Sequence, residues 1–259
     1  MSEGALDGCR VLVTRPVDQA EALVSAIRSA GGDALHFPAI RIIGRDEDDI
    51  GDELASCPEP DILIFISRNA VTFGYPATRR FEASIAAVGP ATQAALEELG
   101  ASVDIRPDDD FDSEGLLAHP ALADVSGKSI TIVRGERGRE LLAETLSARG
   151  AVVRHLTVYR RERAEPPAEL AQEVGRAIAQ GDIDYAVVLS TETLNHLLAL
   201  LPPDAQAALR ETPLVAPGER VIQNVLERLP GNPALMASGP TPADIVNAIA
   251  NAWRSGKTS

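Results

Sequence analysis

The chain has 259 residues, of which 45% are hydrophobic, 24% charged and 3% aromatic, and its formal net charge is −14. At about 100–200 residues per domain, this length favours two globular domains. The acidic charge and the scarcity of aromatic side chains argue against nonspecific binding to nucleic acids or anionic membranes. Local arginines and backbone amides can still bind an acidic ligand.

The sequence predicts neither a metal site nor secretion. Its 2 cysteines are too few for a disulfide framework or a zinc cluster, and its 4 histidines lack ligand spacing. The first ten residues lack the apolar core of a signal peptide, and no apolar run approaches ~18 residues, the length of a membrane span. We therefore expect a cytoplasmic protein.

Short apolar runs alternate with helical patterns along the whole chain. The first run, Arg10–Val13, is followed by an amphipathic helix that stops at Gly31-Gly32, and the uninterrupted run Ile62–Ile66 is typical of a strand buried on both faces of a parallel sheet. Further strands are predicted at Ser84–Val88, Ile130–Val133, Tyr185–Leu189, Leu214–Ala216 and Ala234–Ala237. Such alternation predicts an α/β fold with parallel sheets.

Two extended stretches, Ala34–Ile43 and Val152–Arg163, each follow a helical pattern that ends in glycine. Their equivalent positions predict two globular halves joined by a pair of strands, with a cleft between the halves. Tyr159 lies in the second stretch, where such a cleft would have its floor. At this point Tyr159 is equally well interpreted as a simple packing aromatic.

An internal repeat supports two related halves. Residues 11–40 align without gaps with residues 130–159, so that Arg15 matches Arg134 and Gly31 matches Gly150. The following strands also correspond, DILIFIS (61–67) with DYAVVLS (184–190), and the loops at Gly89 and Gly218 match more loosely.

Hydroxyl groups, glycines and arginines follow almost every predicted strand. In an open parallel sheet, ligands bind beyond the carboxyl ends of the strands, where loops present amides and helix N-termini. In any single loop these residues are more simply explained as helix caps, but their recurrence favours a site for carboxylates or phosphates. The candidate binding residues are Thr14, Arg15, Ser67, Asn69, Ala70, Gly89, Thr92, Arg134, Gly135, Ser190, Thr191, Gly218 and Arg220.

Signatures of several enzyme classes are missing from the sequence. No GxGxxG follows a strand, GERGRELL (135–142) lacks a phosphate-loop lysine, and there is no GxSxG elbow. The abundant carboxylates lie on predicted helix faces and in predicted loops, and no pair of them can be identified as catalytic.

An ordered set of short motifs resembles the uroporphyrinogen-III synthase family. The motifs are VLVTRP (11–16), FPAI (37–40), FISRNAV (65–71), AVGPATQAAL (87–96), SEGLL (113–117), IVRGERGRELL (132–142), VYRR (158–161) and SGPTPADIVNAI (238–249), which together span nearly the whole chain. The resemblance implies two α/β domains, each with a parallel sheet flanked by helices, joined by a two-stranded linker. Carried over, residues 1–35 and 163–259 form a discontinuous first domain, 44–152 an inserted second domain, and 36–43 and 153–162 the linker strands.

The resemblance also implies a reaction. Family members cyclise hydroxymethylbilane, a linear tetrapyrrole with many carboxylates, with loss of water and inversion of the terminal ring, in tetrapyrrole and haem biosynthesis. Tyr159 resembles the family's cleft tyrosine and is the expected catalytic residue, since a tyrosine hydroxyl stays protonated at neutral pH and can assist departure of hydroxide. We expect no cofactor and a monomer whose only partner is this small-molecule substrate.

Individual binding roles follow from the same resemblance. Thr92, Ser67 and Ser190 match hydroxyl-bearing loop positions of the family, whereas Gly218 stands where the family often has serine and is expected to bind through its amide. Arg15 and Arg134 are either partners for substrate carboxylates or partners of a helix glutamate.

Two other functions remain open from the sequence. A noncatalytic relative could bind a tetrapyrrole or another polyanion as a regulator. An unrelated nucleotide- or sugar-phosphate-binding protein could also have paired α/β domains, although the lack of a phosphate-loop motif argues against it.

Overall fold

The computed structural model describes residues 4–257, and its chain divides into two units. Unit 1 comprises Met1–Arg41 and Glu162–Ser259, and unit 2 comprises Ile42–Arg161. The chain thus passes from one unit to the other twice, once within each of the two extended stretches of the sequence.

Strands and helices alternate along most of the chain. The strands are β1 (Arg10–Val13), β2 (Asp33–His36), β3 (Ile40–Gly44), β4 (Ile62–Phe65), β5 (Ser84–Ala87), β6 (Ser129–Gly135), β7 (Val152–Arg163), β8 (Tyr185–Val187), β9 (Leu214–Ala216) and β10 (Leu235–Met236). The helices are α1 (Val17–Ser29), α2 (Glu47–Ala55), α3 (Arg68–Thr78), α4 (Pro90–Glu98), α5 (Ser113–Ala118), α6 (Leu141–Ala148), α7 (Ala168–Ala179), α8 (Thr191–Leu200), α9 (Pro203–Ala208), α10 (Glu219–Arg228) and α11 (Pro242–Lys257).

Unit 1 is built on a sheet of strand order β10-β9-β8-β1-β2, in which each neighbouring pair is parallel. Alternate residues of a strand point to opposite faces, so Leu12 enters one apolar cluster while Val11 and Val13 enter the other. Both faces of the sheet are therefore covered, as the apolar strands require.

Unit 2 repeats this arrangement with the order β3-β7-β6-β4-β5. The pairs β7-β6, β6-β4 and β4-β5 are parallel. Ile62 and Ile64 of β4 face one cluster, and Leu63 and Phe65 face the other. The predicted fold class, two α/β domains with helix-flanked parallel sheets, is confirmed.

The two units share local details that support the internal repeat. The backbone amide of Ser129 donates to Oδ2 of Asp61 over 2.7 Å, and the amide of Arg10 donates to Asp184 in the same way over 2.7 Å. Gly31 and Gly150, which end α1 and α6, have positive φ angles of 91° and 85°, a conformation that favours glycine. Aspartate and glycine thus occupy equivalent places in both units.

The stretch 34–43 differs from its prediction as one strand. Asp33–His36 pairs with β1 inside unit 1, and the amides of Phe37 and Ala39 still donate to Val13 and Thr14 beyond the end of β1. A new strand, β3, begins at Ile40 and is a neighbour of β7. Pro38, which has no amide hydrogen, lies at the break. No helix in residues 4–257 is long and apolar enough to cross a membrane.

Candidate active site

The predicted site residues lie at the carboxyl ends of strands or in the first turns of the helices that follow, except Tyr159, which lies within β7 and pairs with Gly135, the last residue of β6. Because the strands named above are parallel, the carboxyl ends of each sheet share one edge. In unit 2 this edge carries Ser67, Asn69, Ala70, Gly89, Thr92, Arg134, Gly135 and Tyr159, and in unit 1 it carries Thr14, Arg15, Ser190, Thr191, Gly218 and Arg220.

Tyr159 is buried, with 4% of its surface exposed, and its hydroxyl oxygen lies 3.3 Å from Oγ of Ser67. Ser67 is the N-cap of α3, because its Oγ accepts the amide hydrogen of Ala70 over 3.1 Å. The cap fixes the serine rotamer, and the serine in turn places the phenol at the positive end of the helix. The structure therefore brings Ser67 and Tyr159 together.

Gly135 makes room for the tyrosine ring. The register of β6 and β7 shifts between Arg134 and Gly135, which pair with Thr157 and Tyr159 respectively. At this bulge a Cβ on Gly135 would lie 2.6 Å from Cζ of Tyr159, closer than non-bonded carbon atoms approach. Gly135 therefore acts through the space that it leaves for the ring.

Two further side chains border the Tyr159 ring. The ring of Phe73, from α3, has its centroid 6.2 Å from that of Tyr159. The guanidinium of Arg161 lies 6.0 Å from the same ring centroid, within the range of a cation–π interaction. No sequence pattern indicates that Phe73 or Arg161 borders the tyrosine, although Arg161 belongs to the VYRR motif.

The other candidates of unit 2 have distinct environments. The amide of Ala70 is already bound to Ser67, so this hydrogen has an acceptor within the protein. Asn69 is half-buried beside it. Gly89 is the N-cap of α4 in an extended conformation, and Thr92, which is 4% exposed, donates its amide hydrogen to the Gly89 carbonyl.

Arg134 is buried next to an acidic and an imidazole side chain. Its Nη1 lies 2.8 Å from Oε1 of Glu140 and 3.3 Å from Nε2 of His155. Partial burial and the positive charge of Arg134 lower the pKa of His155, against a smaller opposing effect of Glu140. The neutral ring can then accept a hydrogen bond from Arg134. Of the two roles expected for Arg134, pairing with a glutamate is observed.

In unit 1, Thr14 and Arg15 follow β1. Thr14 is 1% exposed and its hydroxyl donates to the carbonyl of Val187, which ties the ends of β1 and β8 together. Arg15 donates from Nη2 to the carbonyl of Pro240, and its Nε is buried without a partner in the described part of the chain. Burial lowers the pKa of Arg15. This guanidinium has unused donor capacity for an anion.

Ser190 and Gly218 cap the helices after β8 and β9. Oγ of Ser190 accepts the amide hydrogen of Thr193 over 3.1 Å, the same distance and geometry as at Ser67. Gly218 precedes α10 in an extended conformation, with φ 169°. Thr191 and Arg220 lie in the first turns of α8 and α10, half-buried and exposed respectively. The two serine caps are equivalent in the repeat, but only unit 2 carries a tyrosine hydrogen-bonded to its cap, among the described residues.

No group of three or more His, Cys, Asp or Glu side chains within residues 4–257 is arranged to hold a metal ion. At the carboxyl edge of each sheet, the candidate residues present neutral hydroxyls, amides and guanidinium groups. Such donors bind carboxylates and can stabilise a departing hydroxide.

Known proteins share both the sequence and the fold. The model of the family described as uroporphyrinogen-III synthase HemD matches residues 21–247. The chain is 38% identical over 200 residues to uroporphyrinogen-III synthase of Salmonella typhimurium, covering 74% of this chain and 80% of that protein. It is 35% identical over 199 residues to the Escherichia coli enzyme of that name, with the same coverage of 74% and 80%.

Solved structures agree in fold. The uroporphyrinogen-III synthetase of Helicobacter pylori superposes with a TM-score of 0.61 at 12% identity, covering 95% of this chain and 100% of that one. A mutant uroporphyrinogen III synthase of Thermus thermophilus gives a TM-score of 0.59 at 20% identity, covering 97% and 100%. The chain therefore belongs to the uroporphyrinogen-III synthase family, enzymes of porphyrin and haem biosynthesis, as its motifs indicated.

Proposed function

We propose that this enzyme cyclises hydroxymethylbilane to uroporphyrinogen III and that Tyr159 supplies the proton for the departing hydroxyl group. The observation that carries the proposal is the pairing of the Tyr159 hydroxyl with Ser67, 3.3 Å away, at the carboxyl edge of the unit 2 sheet. Ser67 is itself fixed by the cap of α3, so the phenol is held in place before substrate binds. A fixed donor requires little reorganisation during the reaction.

The first step breaks the bond between carbon and oxygen in the hydroxymethyl group. The electron pair of the adjacent pyrrole nitrogen expels hydroxide, the Tyr159 hydroxyl donates its proton, and water leaves. Loss of the pyrrole N–H proton gives an azafulvene. In this step Ser67 donates its hydrogen to the Tyr159 oxygen, which leaves the tyrosine hydrogen directed at the substrate. The Arg161 guanidinium lies 6.0 Å from the centroid of the same ring.

The next steps close the macrocycle with inversion of the terminal ring. The substituted carbon of that pyrrole attacks the azafulvene carbon and forms a spiro intermediate. The bond between the spiro carbon and the methylene of the preceding ring then breaks, and the terminal ring recloses on that methylene through its unsubstituted carbon, which loses a proton. This proton restores the tyrosine, and solvent returns the proton that the pyrrole nitrogen lost in the first step. The net change is the loss of one water molecule.

The remaining candidates bind and orient the carboxylates of the substrate. Arg15 and Arg134 provide charge, Thr92 and Ser190 provide hydroxyls, and the helix N-termini at Gly89 and Gly218 provide amides. Asn69, Thr191 and Arg220 lie beside these groups, while Thr14, Ala70 and Gly135 shape the loops through the contacts described above. Because free bilane closes without inversion, the enzyme must chiefly restrain the shape of its substrate.

We further propose that the enzyme is a cytoplasmic monomer. Light scattering during gel filtration tests this directly, since a monomer has a mass of 27.4 kDa. Cell fractionation tests the compartment.

The decisive experiment couples the purified protein to freshly generated hydroxymethylbilane. The products are oxidised, and type I and type III uroporphyrin are separated by chromatography. We expect predominantly type III product. Type I product alone, formed at the rate of the protein-free blank, would overturn the assignment and leave a noncatalytic tetrapyrrole-binding relative.

A further inference from the structure

Unit 2 contains a pocket of about 140 Å³ at the carboxyl edge of its sheet. Its wall is apolar, formed by Ile66, Val88, Ile132 and Leu142, and its polar groups come from Ser113, Arg134 and Arg139. We call it the Arg134 pocket. An apolar wall with cationic and hydroxyl donors is complementary to a short aliphatic chain that ends in an anion.

The Arg134 guanidinium is poorly satisfied by the protein. Its side chain is only 5% exposed, yet its polar partners in the described part of the chain, Glu140 and His155, both meet Nη1. The N–H groups on Nε and Nη2 have no acceptor among the described residues. Arg134 lines the pocket, so an acceptor that enters the pocket would reach N–H groups that have no acceptor in the described part of the protein.

Close approach of the backbone keeps these donors in place. A Cβ added to Gly138 would lie 2.6 Å from Nη2 of Arg134, so the loop after β6 passes close to the guanidinium. Glu140, further along the same loop, holds Nη1. The remaining N–H groups are therefore fixed in orientation before a ligand binds, which is how proteins obtain selective carboxylate binding by arginine.

We propose that the Arg134 pocket binds one aliphatic carboxylate arm of the substrate, an acetate or propionate side chain of a pyrrole ring. This inference rests on the proposed function. A water molecule occupies about 30 Å³ in the liquid, so the pocket of about 140 Å³ accommodates the methylene chain and carboxylate of a single arm. The methylenes contact the apolar wall, and the carboxylate accepts hydrogen bonds from Arg134, Arg139 and Ser113.

Existing ion pairs do not block the pocket. Arg139 pairs with Glu114 over 3.3 Å, but both side chains are largely exposed, at 68% and 56%. Exposed pairs contribute little to stability, so Arg139 can exchange Glu114 for a substrate carboxylate. Arg134 need not exchange Glu140, since its remaining N–H groups are unused.

The pocket is linked to the proposed catalytic tyrosine through one peptide unit. Arg134 and Gly135 are consecutive across the bulge of β6, with Arg134 lining the pocket and Gly135 in contact with the Tyr159 ring. An arm bound at Arg134 therefore fixes the distance between its pyrrole ring and the tyrosine hydroxyl. We expect the pocket to determine the affinity for the substrate. Because it orients one ring, it should also determine the fraction of type III product.

The test measures binding separately from turnover. Fluorescence titration gives the Kd of each variant for uroporphyrin III, the stable oxidised product, and steady-state kinetics give KM and kcat for hydroxymethylbilane. The pocket variants are Arg134→Gln, Arg139→Gln and Ser113→Ala. The matched control is Arg137→Gln, an exposed arginine of the same loop that does not line the pocket. Arg139→Gln is the informative variant if replacement of buried Arg134 prevents folding, because Arg139 is exposed.

We expect Arg134→Gln and Arg139→Gln to raise Kd and KM by about tenfold, the effect of losing a charge-assisted hydrogen bond, with kcat within about threefold of wild type. Arg137→Gln should match wild type. If wild type forms type III product and the pocket variants behave like Arg137→Gln, the pocket proposal is wrong and the proposed function stands. If wild type forms only type I product but Kd rises in the pocket variants alone, the function is wrong and the pocket stands. Unchanged Kd values throughout overturn the pocket proposal in either case.

Discussion

The ring of Tyr159 lies against the backbone of Gly135, so closely that a Cβ on this glycine would come within 2.6 Å of Cζ and 3.0 Å of the hydroxyl oxygen. The contact exists because the β6–β7 register shifts at Gly135. Without the bulge, regular alternation along the strand would direct the side chain of residue 159 differently. The position of the phenol therefore depends on backbone geometry in the neighbouring strand.

Replacement of Tyr159 by phenylalanine tests the proposed proton donor. The variant keeps the ring, so its contacts with Phe73 and Gly135 remain, but it loses the hydroxyl that meets Ser67. We expect kcat to fall by about 10²-fold, a typical contribution of general acid catalysis, with little change in KM. Tyr75→Phe is the matched control, since Tyr75 packs edge-on against Phe65 within the same unit. Equal kcat values for the two variants would contradict the proton-donor role.

Replacement of Gly135 by alanine tests whether the tyrosine must occupy its observed position. The new methyl group overlaps the buried ring, which must move away from Ser67. We expect kcat to fall at least about tenfold, because small misplacements of a catalytic group are costly. Gly51→Ala is the control, since a Cβ there meets no atom within 4 Å.

A double variant separates displacement of Tyr159 from other effects of Gly135→Ala. If the methyl group acts only through the tyrosine, Gly135→Ala should cost little further activity in a chain that already carries Tyr159→Phe. Independent, multiplicative losses would show that Gly135 also acts on the substrate directly.

Ser67 has two roles that its substitution can distinguish. Ser67→Ala removes the cap of α3, which should lower the free energy of unfolding by about 1 kcal/mol, and it also frees the Tyr159 hydroxyl. Asp46→Ala removes a comparable cap, because Oδ1 of Asp46 accepts the Asp48 amide hydrogen at the start of α2. We expect similar loss of stability in chemical denaturation for both variants, but reduced kcat only for Ser67→Ala. Full activity of Ser67→Ala would assign the serine a purely structural role.

Most of the fold could be predicted from the sequence because its strands are short, apolar and separated by helices. Runs such as Ile62–Phe65 are buried throughout, and the gap-free repeat predicted the equivalent β-α-β units around α1 and α6. The break at Pro38 could not be inferred from apolar alternation, which continues on both sides of it. The position of the break is set by backbone hydrogen bonds, because the chain stays bonded beside β1 as far as Ala39 before β3 begins.

The site was predictable as a set of residue types but not as contacts. Parallel strands place Ser67 and Arg134 at one edge, so the motifs were sufficient to select them. No pattern in the sequence indicates that residue 135 must lack a side chain for Tyr159, or that Arg139 and Ser113 line a pocket with Arg134, because these contacts arise from a bulge and a loop. That Glu140 bonds only to Nη1 of Arg134 likewise follows from distances and not from the sequence.

Asn232 was missed by the sequence analysis and is expected to be important for the stability of unit 1. It is 4% exposed, its Nδ2 lies within 3.1 Å of the carbonyl oxygens of Leu209, Arg210 and Thr212, and its Oδ1 accepts the Leu214 amide hydrogen. Asn232→Ala leaves these buried groups without a partner, at about 1–3 kcal/mol for each unsatisfied group. We expect a loss of at least about 2 kcal/mol in urea denaturation. The control is Asn224→Ala, which removes one hydrogen bond from a half-buried side chain to the Arg220 carbonyl. It should cost about 1 kcal/mol or less, and equal effects of the two variants would refute this interpretation.

His155 should make stability depend on pH just below neutrality. Because its pKa is lowered in the folded chain by partial burial and by Arg134, the unfolded chain binds a proton more readily as the pH falls through about 6.5, the ordinary value for histidine. Stability is therefore expected to decrease between about pH 7.5 and pH 5.5. Asp244, whose pKa is lowered by hydrogen bonds from Thr241 and Ser238, contributes only at more acidic pH. In His155→Asn the melting temperature should change less across this interval than in wild type, whereas parallel pH profiles would rule out His155 as the source.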